Sequence, residues 1–112
     1  MISIANTADR EKAEPAVLLW TGRSGRRYPM TLVGEAGAPM AAERLYALED
    51  NGVIGWAGTA EDLIVDHHSR EKFRKLSGLG ARLFSLAAPR DPLAMMTLVW
   101  DLEGSRRFAD AA

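Results

Sequence analysis

Asp66, His67 and His68 stand side by side near the middle of the chain, a carboxylate next to two imidazoles. Such groups bind metal ions or relay protons when geometry lets them converge. On a helix, neighbouring side chains point about 100° apart, so adjacent histidines cannot grip one ion. Helical chelation uses i, i+4 spacing. That spacing joins His67 to Glu71 and His68 to Lys72, which leaves one usable pair. The expectation is a partly buried His67 beside an exposed His68, with no metal site and no cofactor.

Cationic side chains form two groups. Arg23, Arg26 and Arg27 surround a glycine-rich turn, and Arg70, Lys72, Arg74 and Lys75 crowd one charged stretch. If the two groups meet in space they make a local basic patch, with Arg23, Arg26, Arg27, Arg70, Arg74 and Lys75 as candidate nucleic-acid contacts. The aromatic interleaving of single-strand binders is missing. Gly22 and Gly25, or Gly78 and Gly80, are followed by no Lys-Ser/Thr at phosphate-loop spacing and permit turns instead. The serines at 24, 69, 77, 85 and 105 lack His and Asp partners for a nucleophilic triad.

Bulk charge argues against a general affinity for polyanions. The formal net charge is −1 and the pI about 6.1, whereas phosphate contacts supply most nucleic-acid affinity. There are no cysteines, so disulfides and thiolate metal sites are excluded. No segment approaches the roughly 20 apolar residues of a membrane span, and no signal-type apolar run opens the chain. A cytoplasmic protein is expected. A chain of 112 residues fits one domain.

These side chains must be positioned by short elements. Residues 1–15 read as a flexible leader ending at Pro15. Residues 16–21 and 27–33 read as a hairpin around a five-residue glycine turn, and Pro29, which cannot donate to a ladder, marks the second strand as an edge. Residues 43–49 are ambiguous between helix and strand. Strand is chosen because Asp50-Asn51-Gly52 is a strong hairpin turn that needs one before it. Residues 53–58 are its partner.

Thr59 then caps a helix, with Asp62 three residues on in an approximate capping box. Leu63, Ile64, His67 and Leu76 can share its inward face, residues 70–72 mark a break, and Ser77-Gly78 with Gly80 end it. Residues 81–88 alternate as a strand. Asp91-Pro92 opens an apolar helix over 93–103 that packs several faces. Met95, Met96 and Trp100 on it read as core, or as an interface if exposed. Gly104 ends it, and 105–112 read as a polar tail. The single domain is thus 16–104.

Trp20-Thr21-Gly22-Arg23-Ser24-Gly25-Arg26-Arg27-Tyr28, Leu45-Tyr46-Ala47, Trp56-Ala57-Gly58, Thr59-Ala60-Glu61-Asp62-Leu63 and Gly80-Ala81-Arg82-Leu83 follow one another in the order and spacing of small bacterial proteins related to GIY-YIG nucleases. Across about residues 16–104 the chain resembles that family. The resemblance implies an α+β fold: a small antiparallel sheet, made of the N-terminal hairpin plus a three-stranded core, covered by two main helices. It also implies a site in which two tyrosines and an arginine surround a scissile phosphate and a glutamate holds a divalent metal.

Carried over by position, that site is degenerate. Tyr46 keeps the first phenol, Trp56 stands at the second, Asp66 at the arginine and Val99 at the glutamate. An indole lacks the phenol's hydroxyl, Asp66 reverses the sign, and valine cannot ligate a hard cation. Glu103 lies a full helical turn from the metal position. Asp66-His67-His68 also spells the tripeptide of the DHH phosphoesterases, without the further aspartates those enzymes use. The expected function is a non-enzymatic binding or protein-interaction module, with a partner protein or self-association. A nucleic-acid-binding module and a residual metal-dependent nuclease are the alternatives.

Overall fold

The structure, a computed structural model, describes residues 16–108. The expected leader at 1–15 and residues 109–112 of the expected tail lie outside the described residues. In chain order the elements are β1 (Val17–Thr21), β2 (Arg27–Glu35), β3 (Arg44–Asp50), β4 (Val53–Gly58), α1 (Ala60–Val65), α2 (His67–Gly78), β5 (Arg82–Ala87), α3 (Pro92–Leu102) and β6 (Arg106–Arg107).

Local chemistry sets most of these boundaries. Asp50 faces Val53 across a two-residue loop in which Asn51 has φ 54° and Gly52 φ 79°. Both lie in the left-handed region that a type I′ hairpin turn demands, and the ambiguous segment before it is a strand, running from Arg44 to Asp50 with Glu43 left in the preceding turn. Thr59 and Asp62 exchange both hydrogen bonds of a capping box at the start of α1. The Asp91 carboxylate accepts from the Ala94 N–H, and Pro92 opens α3.

The expected open sheet does not form. The strands close into an antiparallel barrel in the order β1-β2-β5-β3-β4-β6. Two features make the closure. β2 is nine residues long: its first half pairs with β1 and its second half with β5, Thr31 pairing with both, and the β5 ladder shifts register between Leu32 and Gly34. Such a bulge bends the strand and increases its twist. One strand thereby joins what sequence suggested were a separate hairpin and a three-stranded core. Pro29 faces Leu19 of β1, and pairing with β5 begins only at Thr31, so β2 as a whole is not an edge.

The other closure comes from the expected tail. Arg106 and Arg107 pair with Thr21 and Trp20 of β1, and Arg106 with Val53 of β4. The Ile54 N–H donates to the Ser105 carbonyl, and the Gly104 N–H to the Ile54 carbonyl.

Helices number three, not two main ones, among the described residues. The break falls at Asp66, before the charged stretch 70–72. Asp66 takes extended backbone angles, and its carboxylate accepts from the His68 N–H and the Ser69 hydroxyl, starting a new helix. That break changes the inward face. Leu63, Phe73 and Leu76 pack on the sheet, while Ile64 and His67 turn to solvent.

There are two cores. Trp20, Met30, Leu45, Ala47, Ile54 and Phe84 fill the barrel interior, with Trp20 edge-on to Phe84 at 5.2 Å. Leu48, Trp56 and Leu83 face the other way and meet Leu63, Phe73 and Leu76 of α1 and α2. Burying each such side chain is worth about 1.5–3 kcal/mol. α3 lays Met95, Leu98, Val99 and Leu102 against the first core. This is one face of α3, not several. Leu93, Met96 and Trp100 remain 69, 68 and 56% exposed.

Candidate functional site

β6 pairs with β4 only at Val53, so beyond Ile54 β4 has no strand on that side. The gap is flanked by α1 and the start of α2 on one side and by α3 on the other, and forms a groove of about 490 Å³. The Ala57 N–H, which would otherwise lack an acceptor at this open edge, donates to Glu103 Oε2 at 3.1 Å. Lys72 approaches the other oxygen of Glu103 at 3.5 Å.

Of the positions singled out in sequence, Trp56, Asp66 and Val99 line this one groove. Tyr46 does not. It is buried in the outer core, and its hydroxyl accepts from the Ala41 N–H. Trp56 stacks edge-on against Phe73 at 5.2 Å, yet its indole N–H is buried without an acceptor among the described residues. An unpaired buried donor costs about 1–3 kcal/mol. A Cβ added at Gly58 would lie 2.7 Å from Trp56 Cζ2 and 2.9 Å from Asp62 Oδ2. Gly58 thus leaves room for the Trp56 ring and the Asp62 carboxylate to pass close beside the β4 backbone.

The divalent metal implied by the resemblance does not fit these residues. Val99 offers no ligand atom, and both oxygens of Glu103 are already engaged. Among the described residues no three His, Cys, Asp or Glu side chains come together as a metal set. His67 is exposed, not partly buried, and approaches Glu71 at 3.8 Å, while His68 lines the groove.

The cationic candidates separate. Arg70 donates to the carbonyls of Leu63 and Ile64, satisfying the end of α1. Arg74 approaches Glu71 at 3.8 Å, and Arg70 and Arg74 line a small separate groove with Leu63 and Phe73. Lys75 sits in the last turn of α2, where its charge complements the helix dipole. None of the hairpin arginines lines that groove.

Arg23, Arg26 and Arg27 gain different neighbours. Arg27 and Arg106 flank Thr21 across adjacent strands, and Arg107 follows. Arg27 lies over the Phe108 ring at 4.1 Å and Arg23 over the Trp100 ring at 5.2 Å. Among the described residues none of these five arginines pairs with a carboxylate side chain. Sequence reasoning missed Arg106 and Arg107 by assigning them to a tail. The repeated arginine just past the helix-ending glycine was the only signal.

Sequence reasoning also missed Asp101. It is 3% exposed and organises the glycine turn of the hairpin. The Ser24 N–H donates to Oδ1 at 2.7 Å, the Ser24 hydroxyl to Oδ2 at 2.6 Å, and the Tyr28 hydroxyl to Oδ2 as well. Burial alone would raise the Asp101 carboxyl, but the hydrogen bonds from Ser24 and Tyr28 outweigh it and hold the pKa below the ordinary value. Tyr28 shifts the other way, raised first by burial and then by the facing carboxylate. These donors and the acceptor are mutually satisfied, so the cluster positions the loop.

No protein-family model, no curated protein and no solved structure matches this chain. No helix among the described residues is long and apolar enough to cross a membrane.

Proposed function

We propose that this chain is a non-enzymatic protein-interaction module of the cytoplasm, a relative of GIY-YIG proteins that has lost their reaction, with the groove beside α3 as its contact surface. One observation carries it. Leu93, Met96 and Trp100, spaced i, i+3 and i+7, form an exposed apolar stripe on a helix whose opposite face already packs the barrel. Stripes of this kind on a soluble protein serve contacts with other proteins, and Trp and Met are favoured at such surfaces. Val99 and Trp56 give the adjoining groove an apolar floor.

A second copy of the chain is one partner, through a two-fold contact of stripe on stripe. The test compares wild type with a Met96→Asp/Trp100→Asp double variant. Both positions are exposed, so the fold should survive, which circular dichroism checks. Sedimentation velocity and quantitative affinity capture are expected to show association that the double variant loses. The proposal fails if the variant keeps the same sedimentation and the same partners.

The arginines at 23, 26, 27, 106 and 107 favour a second reading, a nucleic-acid-binding module. Guanidiniums on adjacent strands, free of carboxylate partners among the described residues, suit a phosphate backbone. Binding of a labelled duplex should then weaken steeply with salt and with Arg27→Gln/Arg106→Gln. Absence of binding at low salt would end it.

A further inference from the structure

We infer that the outward face of β1, β2 and β6 binds single-stranded nucleic acid, stacking bases on an arginine–aromatic pair and holding phosphates with the neighbouring guanidiniums. This rests on the nucleic-acid reading above and names the form of the strand. Three independent observations converge on this face. First, the helices pack mainly against β3 and β4. Among the described residues the outward side of β1, β2 and β6 is left to solvent, with Arg27, Pro29 and Arg106 exposed.

Second, the register gathers charge there. Trp20 points into the barrel core, so its neighbour Thr21 points outward. Arg27 and Arg106 flank Thr21 on the two sides, about 10 Å apart over two strand spacings. Third, a stack crosses β1. The Phe108 N–H donates to the Leu19 carbonyl on the β6 side, and Arg27 reaches over from the β2 side to lie 4.1 Å from the Phe108 ring centre. Arg23 over Trp100 repeats the pairing beside Gly104, two residues before Arg106. The fold thereby assembles the interleaved cations and aromatics that the linear sequence lacks.

Each observation eliminates a class of ligand. A small inorganic anion satisfies the arginines but leaves the stacked plane unused. An acidic peptide does the same, because its carboxylates bring no π-face. A duplex has the phosphates but keeps its base faces inside its own stack. A single strand offers both: phosphates for the guanidinium N–H edges, and free bases that lie flat on aromatic rings or on guanidinium planes.

Fluorescence anisotropy with a labelled thymidine 15-mer tests this. Binding should be tighter than to the thymidine–adenosine duplex of the same length or to polyphosphate, and should weaken with salt. A uridine 15-mer in parallel separates RNA from DNA as the strand taken. Arg27→Gln/Arg106→Gln should flatten the slope of log affinity against log salt by about 1.4, roughly 0.7 for each phosphate contact removed.

Two further variants isolate stacking from charge. Phe108→Ala should weaken binding about tenfold, and Phe108→Tyr, which keeps a ring, should not. Arg27→Lys keeps the charge but has no plane to stack, so it should lose affinity without changing the salt slope. Circular dichroism checks the fold of each. Equal affinity for polyphosphate overturns the inference, as do Phe108→Ala and Arg27→Lys proteins that bind like wild type. Tighter binding of the duplex also overturns it and leaves the broader nucleic-acid reading standing, whereas absence of binding to either form at low salt removes both.

Discussion

The Tyr28 hydroxyl donates to the Asp101 carboxylate across 73 residues of chain, tying the β1–β2 hairpin to the end of α3. Ser24 supplies two further bonds to the same carboxylate. This buried anchor holds the hairpin in place and, with it, the Arg23 side chain that reaches the Glu103 carbonyl and covers Trp100. Hydrogen bonds to a charged group are worth about 1.5–3 kcal/mol. Asp101→Asn should therefore lower the unfolding free energy by about 2 kcal/mol in urea melts, and Tyr28→Phe by less. A double-mutant cycle should give a coupling well above zero, because the two groups share one network.

The same anchor predicts the pH profile. Asp101 has a folded-state pKa below its unfolded value of about 3.9. Its contribution is present above that unfolded value and is lost as pH falls through the lower folded one. Tyr28, raised from about 10, contributes stability below pH 10 that is lost as pH rises through its folded value. Urea midpoints across the pH range should fall on both limbs. Asp101→Asn should flatten the acid limb relative to wild type.

Gly22 is buried directly against this carboxylate. A Cβ there would lie 2.6 to 2.9 Å from the carboxyl atoms of Asp101. Three hydrogen bonds fix that group, so it cannot swing away cheaply. Gly22→Ala should cost about 1–3 kcal/mol, measurable as a lowered denaturation midpoint. Gly25→Ala, where nothing lies within 4 Å, should suffer only from its φ of 91°.

Removing residues from 105 onward separates a tail from a strand. A solvated tail would be dispensable. Here truncation deletes the bonds from Ile54 to Ser105, from Arg107 to Gly52 and from Phe108 to Leu19, and it reopens the barrel between β4 and β1. At about 0.5–1.5 kcal/mol per bond the loss should approach 3 kcal/mol, before counting buried area. Thermal melting of the truncated chain checks it, and an unchanged midpoint would contradict the closed barrel.

The hairpin turn gives a smaller, local effect. Gly52→Ala places a Cβ at a φ of 79°, which costs about 1 kcal/mol in a turn of this type. Denaturant unfolding of that single variant would measure it.

Some of this was legible in the sequence because the deciding interactions span only a few residues. Asn51-Gly52 dictates its turn through its own backbone angles. Thr59 with Asp62, and Asp91 with Pro92, dictate helix starts through bonds three residues long. The spacing of Trp56, Asp66 and Val99 along the chain also singled out positions that line one groove. What sequence could not reach are the pairings whose partners lie far along the chain. β2 takes two neighbours along its length, a two-residue strand closes the barrel, and Asp101 finds Ser24 and Tyr28. Tyr46, a site residue by position, is turned into the outer core, and α3, apolar on every side, is covered on one face only. Periodicity records which side chains are apolar. Only the closed sheet determines which of them another element covers, and which are left exposed.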